Sequence, residues 1–178
     1  NSPWDAFYSS IKVANDIIAK APAGSASEAA KTKIIGEAHL LRGMLYFNLV
    51  RMFGGVPIRT LPPTQDDVNL PRATKDEVYA LVISDLEKAK TMMTATPAPG
   101  RPSKFAAAAL LGKVYIHMAG NDNSSPNWAK AKTELLDVVT NGGYILQPSF
   151  GSLFTAGTEN TKESIIEIQY TISGGPNG

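Results

Sequence analysis

Gly36-Glu37-Ala38-His39-Leu40-Leu41-Arg42-Gly43-Met44-Leu45-Tyr46-Phe47-Asn48-Leu49-Val50-Arg51-Met52-Phe53-Gly54-Gly55 reads as the main body of one long helix. Leu41, Leu45, Leu49 and Met52 fall on one face of it, and Leu40, Met44 and Phe47 on another. A helix that is apolar on two sides predicts a neighbour on each. The helical pattern extends back to about Ser27, and the glycine pair at 54–55 stops it.

Working outward, a helix is predicted from Pro3 to Lys20, because proline suits a first turn and Trp4, Phe7, Ile11, Ala14 and Ile18 recur at helical spacing. Ala21-Pro22-Ala23-Gly24-Ser25 breaks it from the long helix. On the other side, a loop carrying Pro57, Pro62, Pro63 and Pro71 leads to a capping box, Thr74-x-x-Glu77, which opens a third helix to about Met93. Its core face is Val78, Leu81, Val82, Leu86, Ala89 and Met93. After Pro97-Ala98-Pro99-Gly100-Arg101-Pro102, Ser103 caps a fourth helix to about Ala119, and the small residues Ala106 to Ala109 permit close approach of a neighbour. A fifth helix runs from about Pro126 to Thr140, with Trp128, Ala131, Leu135 and Val139 expected inward. Ile165 to Thr171 then alternates as a strand would.

These elements define an all-α chain, an array of antiparallel helix pairs with a short strand-like segment near the C-terminus. An internal repeat supports the pairing. Gly43-x-x-Tyr46 in the second helix recurs as Gly112-x-x-Tyr115 in the fourth. Leu111-Gly112-x-x-Tyr115, continued by Trp128-Ala129-x-Ala131, resembles a degenerate tetratricopeptide repeat, in which glycine admits the partner helix and tyrosine fills the groove beside it.

The 178 residues suffice for one domain with a real core, at 43% hydrophobic and 19% charged. With 17 basic and 16 acidic residues the net charge is +1, which gives no footprint for nucleic acid and no basic patch for a membrane surface. There are no cysteines, so disulfides, thiolate metal sites and cysteine nucleophiles are excluded. The chain opens at Asn1-Ser2-Pro3 and closes on a glycine-rich end just after a strand-like segment with nothing to pair against. A strand needs partners for its backbone groups, so residues 1–178 are expected to form a single helical domain within a longer protein.

The ordered motifs resemble one family. Trp4-x-x-Phe7-Tyr8-x-x-Ile11-x-x-Ala14-Asn15-x-Ile17-Ile18 is similar to the first helix of the SusD/RagB outer-membrane nutrient-binding lipoproteins. Gly36-Glu37-Ala38-x-x-Leu41-Arg42-Gly43-x-x-Tyr46-Phe47, running on to Gly54-Gly55-Val56-Pro57, resembles their hallmark helix and its turn. Pro71-Arg72-Ala73-Thr74-x-x-Glu77-Val78-Tyr79, Asp85-Leu86-x-x-Ala89, Gly100-Arg101-Pro102-Ser103-Lys104-x-Ala106-Ala107 and Glu163-Ser164-Ile165-Ile166-Glu167-Ile168 continue the match in order. The resemblance implies a non-catalytic protein on the extracellular face of the outer membrane. It would capture a glycan, as an oligosaccharide, or sometimes a peptide, and hand it to a TonB-dependent, SusC-like transporter. It also implies membrane attachment only through a lipidated N-terminal segment outside these residues, a further C-terminal half, and no cofactor.

The residues themselves offer little for catalysis. Glu37, His39 and Arg42 share two turns, but Glu37 and His39 are two apart and point to different faces, so ion pairing or hydrogen bonding accounts for them better than a metal. His117 has no partner at ligand spacing and reads as a packed or rim residue. Asp66-Asp67 and Asp76-Glu77 are carboxylate pairs by composition, but the first lies in a loop and Glu77 serves the cap. For sugar binding, the best local arrangement is the turn Asn121-Asp122-Asn123-Ser124-Ser125-Pro126-Asn127 beside Trp128, which sets amide and carboxylate groups next to an indole. The spacing of Trp128 with Ala131 and Leu135 favours a competing reading of that ring as a packing aromatic. The main rival function is a tetratricopeptide adaptor that grips a peptide in a concave groove.

Overall fold

The computed structural model describes residues 2–62, 69–155 and 159–168. Among them five α-helices follow one another: α1 (Pro3–Lys20), α2 (Glu28–Phe53), α3 (Lys75–Met92), α4 (Lys104–Ala119) and α5 (Asn127–Asn141). Ser2, Ser27, Thr74 and Ser103 are the N-caps of the first four, each accepting a backbone N–H through its side-chain oxygen. At Thr74 the box is complete, because the Glu77 carboxylate returns to the Thr74 N–H at 2.7 Å. A single turn of 3-10 helix at Ala21–Ala23 joins α1 to α2, and another, Phe150–Phe154, follows α5. Arg72 reaches back to the last turn of α2, donating from Nε to Gly55 O at 2.8 Å and from Nη2 to Phe53 O at 2.6 Å.

Each helix packs on the one before it and the one after it, and the pairs run antiparallel. Trp4 and Tyr8 of α1 meet Phe53 and Tyr46 of α2. Gly36 of α2 faces Met92 of α3, Gly43 faces Leu86, and Phe47 meets Tyr79, so the numbering falls on one helix as it rises on the other. On α4 and α5, Gly112 faces Leu135 and Tyr115 lies against Lys130. The main core threads this row through Ile11, Leu40, Tyr46, Leu49, Val78, Val82, Leu86, Leu111 and Val114. A smaller cluster of Phe105, Ala108 and Val138 closes the far end.

Both repeated glycines sit where helices press together. A Cβ on Gly43 would lie 3.1 Å from Leu86 Cγ and 3.4 Å from Asp85 Cβ, and one on Gly112 would lie 2.5 Å from Leu135 Cγ. A side chain at Gly112 would collide with Leu135, and one at Gly43 would press on the Leu86 and Asp85 side chains.

Several expectations need correction. Leu41 and Met52 are 45% and 56% exposed rather than buried, because α2 turns its other sides inward through Leu40, Tyr46, Phe47, Leu49 and Val50. On α5 the inward positions are Ala131, Leu135 and Val138, and Val139 is 76% exposed. Trp128 also lies at the surface. Ile165 to Ile168 form no strand, and Gln169 to Thr171 lie outside the described residues. Ile165 is used as a helix-side contact instead, packing on both core clusters.

Replacing Gly43 by valine should destabilise the chain by about 1–3 kcal/mol, because a branched side chain overpacks the α2–α3 crossing. Urea unfolding followed by circular dichroism measures this, and an unchanged midpoint would contradict the close approach described.

Candidate functional site

A buried polar network organises the surface that could meet a ligand. Arg42 on α2 grips Asp85 on α3 with two parallel bonds, Nε to Oδ2 at 2.7 Å and Nη2 to Oδ1 at 2.8 Å. His39, one turn before Arg42, lies with Nδ1 2.7 Å from the same Oδ1. The third nitrogen of Arg42, Nη1, donates to Asn15 Oδ1 on α1 at 2.7 Å and to Thr60 O at 3.1 Å. Asp85 is fully buried and Asn15, His39 and Arg42 nearly so. Burial alone would push the Asp85 carboxyl upward, but hydrogen bonds from Arg42 and His39, with their charges, hold it below its ordinary value.

The network ends in the loop after α2. Asn15 Nδ2 donates to Arg59 O and Leu61 O at 3.0 and 3.1 Å, and the Tyr8 hydroxyl donates to Pro57 O at 2.6 Å. The Tyr46 hydroxyl accepts from Arg59 N at 2.6 Å and donates to Arg59 O at 3.1 Å. Burial raises the Tyr46 phenol to about 12, so it stays protonated and able to donate. The loop is thus held to α1 and α2 by its own carbonyls. Between it and α1 opens a cleft of about 340 Å³, lined in part by Trp4, Tyr8, Lys12, Asn15, Arg59 and Leu61. Trp4 packs against Tyr8 and Phe53, which makes it part of the core's edge, as its sequence position suggests.

The turn between α4 and α5 is ordered by its own bonds. Asp122 Oδ1 accepts from Ser124 N at 2.9 Å and from Ser124 Oγ at 2.6 Å, and these two bonds hold its carboxyl below the ordinary range. The Trp128 indole donates from Nε1 to Asp122 O at 2.8 Å. Trp128 is 38% exposed and belongs to neither core cluster, so it is partly covered at the surface rather than buried in the core. Asn121 and Asn123 are exposed, and their side chains make no hydrogen bond among the described residues. The structure therefore places Asn121, Asp122 and Asn123 on one exposed turn and Trp128 beside them in the first turn of α5, with the indole N–H engaged and two amides unspent.

The other chemistry-bearing residues have structural partners. Glu37 pairs with Arg101 across the α3–α4 connection, so Glu37 and His39 do face different neighbours. His117 stands edge-on to Phe47 at the surface, 5.2 Å between ring centres. Glu77 is engaged by its cap. Asp66-Asp67 lies outside the described residues. Among the described residues no group of three His, Asp or Glu side chains is disposed to hold a metal ion. Sequence reasoning passed over Asn15, Tyr46 and Asp85 as functional parts. The available signal was a set of polar residues inside otherwise apolar helical faces.

An antiparallel row of helices defines a tetratricopeptide-like helical scaffold. The SusD-like profile described as "starch-binding associating with outer membrane" matches residues 1–116. A SusD-like protein of Bacteroides ovatus is 32% identical over 177 residues, covering 94% of this chain and 32% of its own length. A crystal structure with a xylogluco-oligosaccharide superposes with a TM-score of 0.85 at 31% identity, over 95% of this chain and 35% of that one. A laminarin-binding SusD-like protein superposes at 0.84 with 31% identity, over 93% and 36%. The chain belongs to the SusD-like family. It spans about a third of the length of the curated relatives it matches. No helix among the described residues is long and apolar enough to cross a membrane.

Replacing Asp85 by asparagine should cost about 3–5 kcal/mol, because it leaves the Arg42 guanidinium buried without its counter-charge. The Asp85 carboxyl has a lower pKa folded than unfolded, so the unfolded chain binds more protons through that window. Its contribution is complete above the ordinary value of 3.8 and is lost as pH falls below it toward the folded value. Thermal unfolding of both proteins against pH should show a stability gap that is constant near neutrality and narrows in acid. A gap independent of pH would contradict the role of the charge.

Proposed function

We propose that this chain is the helical scaffold of a non-catalytic glycan-binding protein on the extracellular face of the outer membrane. It passes its oligosaccharide to a TonB-dependent, SusC-like transporter. In this reading residues 1–178 are one helical domain of a longer protein, which carries a lipidated N-terminal segment and a C-terminal half. The observation that carries the proposal is the shared helical row of two relatives at 31% identity, one crystallised with a xylogluco-oligosaccharide and one described as laminarin-binding.

Within this chain the sugar site is the α4–α5 turn. Sugars present apolar C–H faces and a rim of hydroxyls, so they are gripped by aromatic faces flanked by groups that both donate and accept hydrogen bonds. The exposed Trp128 ring supplies the first, and Asn121, Asn123 and the outer oxygen of Asp122 supply the second. The bonds from Trp128 to Asp122 and from Ser124 to Asp122 set the turn before the ligand arrives, which lowers the ordering cost of binding. Binding is non-covalent and fully reversible, as hand-over to a transporter requires.

Affinity electrophoresis in gels containing laminarin or xyloglucan tests this. The chain should be retarded by at least one of them, and Trp128→Ala should weaken the retardation by about tenfold or more. Retardation that survives Trp128→Ala would move the site elsewhere. A folded chain that runs unretarded in both gels, and on a wider glycan array, would contradict sugar binding by this segment.

A further inference from the structure

The even charge balance of the sequence conceals a local excess. Arg51, near the end of α2, lays its guanidinium over the Phe47 ring, 4.6 Å from Cζ to the ring centre. His117 of α4 meets the same ring edge-on at 5.2 Å. Phe47 in turn lies 6.5 Å from Tyr79 of α3, and Lys75 sets its ammonium 5.7 Å from the Tyr79 ring centre. Lys113 precedes His117 by one turn of α4 and so shares its face. Three helices thereby bring four exposed basic side chains around one pair of buried rings.

None of the four forms an ion pair with a carboxylate among the described residues. Their mutual proximity shows in His117. Burial lowers the pKa of its imidazole, and the charges of Arg51, Lys113 and Lys75 lower it further, with no carboxylate acting in the other direction. Like charges gathered without a directly paired carboxylate repel one another, and an incoming anion relieves that repulsion.

The form of the patch selects the anion. The Phe47 and Tyr79 rings are almost completely buried beneath the cations, so no aromatic face is offered to a sugar. The neighbouring amide, Asn48, already accepts from Arg51 through its side-chain oxygen. The four side chains stand on the outer surface of three neighbouring helices, an open arrangement that suits a broad partner rather than an enclosed small molecule. We propose that Arg51, Lys75, Lys113 and His117 form a docking surface for a glutamate- or aspartate-rich segment of a partner protein, separate from the sugar-binding turn.

The probe is a fluorescein-labelled deca-glutamate peptide, titrated with the full chain and followed by fluorescence anisotropy at low and high salt. Circular dichroism checks that the triple variant Arg51→Gln, Lys75→Gln, Lys113→Gln remains folded, as expected for exposed sites. Deca-glutamate should bind at low salt and weaken as salt rises, and the variant should lose about tenfold in affinity. The parallel probe is polygalacturonate, competing for the same site. No peptide binding at low salt, equal binding by the folded variant, or stronger binding of polygalacturonate that depends on the same residues would overturn the proposal. Should the triple variant unfold, the single variants Lys75→Gln and Lys113→Gln are read by the same criteria.

Discussion

The ion pair between Arg42 and Asp85 is the constraint on which the arrangement of this molecule depends. Neither charge is tolerable inside a helical core unless the other is present and every remaining polar position is filled. Arg42 has three nitrogens to satisfy, and their directions oblige α3 to supply a carboxylate, α1 to supply an amide and the following loop to supply a carbonyl. One side chain thus sets the relation among three helices and a loop. Hydrophobic burial drives these helices together but says little about register, since one apolar stripe packs on another in several ways. A bidentate guanidinium–carboxylate pair accepts one geometry.

The same constraint reaches the surface. Asn15, held by Arg42, presents its amide to the carbonyls of Arg59 and Leu61, and two tyrosine hydroxyls secure Pro57 and Arg59. Residues in a loop of this length would otherwise sample many conformations. Here their backbone groups are bonded to rigid helices. The α4–α5 turn reaches a similar end by local means, since Asp122 organises Ser124 with its carboxylate and Trp128 with its carbonyl. Residues 57–61 and the α4–α5 turn are thus both fixed by hydrogen bonds on a helical frame, the arrangement that non-covalent recognition favours.

Much of the frame was legible because its signals are local. Caps at Ser27, Thr74 and Ser103, and breakers at Gly54-Gly55 and around Pro97–Pro102, bound the helices within a residue or so of where they stand. The repeated Gly-x-x-Tyr also carried its physical meaning, since both glycines lie at close helix crossings. Faces were harder. Leu41, Met52 and Val139 are apolar at plausible spacing, yet they face solvent, because tertiary packing decides which of two apolar stripes is used. Trp128 followed the same course: helical spacing placed it inside, and the bond from its indole to Asp122 holds it outside. The basic cluster was hidden for a different reason. Its members are spread from position 51 to 117, and only the folding of α2, α3 and α4 side by side collects them.

In the proposed function a pre-set indole at the surface, Trp128, receives a sugar ring. The most direct measurement is a proton–nitrogen correlation spectrum of the labelled chain titrated with laminarin and xyloglucan oligosaccharides. With two tryptophans, Trp4 and Trp128, the indole signals are few enough to assign by one substitution. The Trp128 indole and the side-chain amides of Asn121 and Asn123 should shift together and saturably, while Trp4 stays in place. Saturable shifts confined to Trp4 and the residues of the α1 cleft, with Trp128 unmoved, would contradict that role.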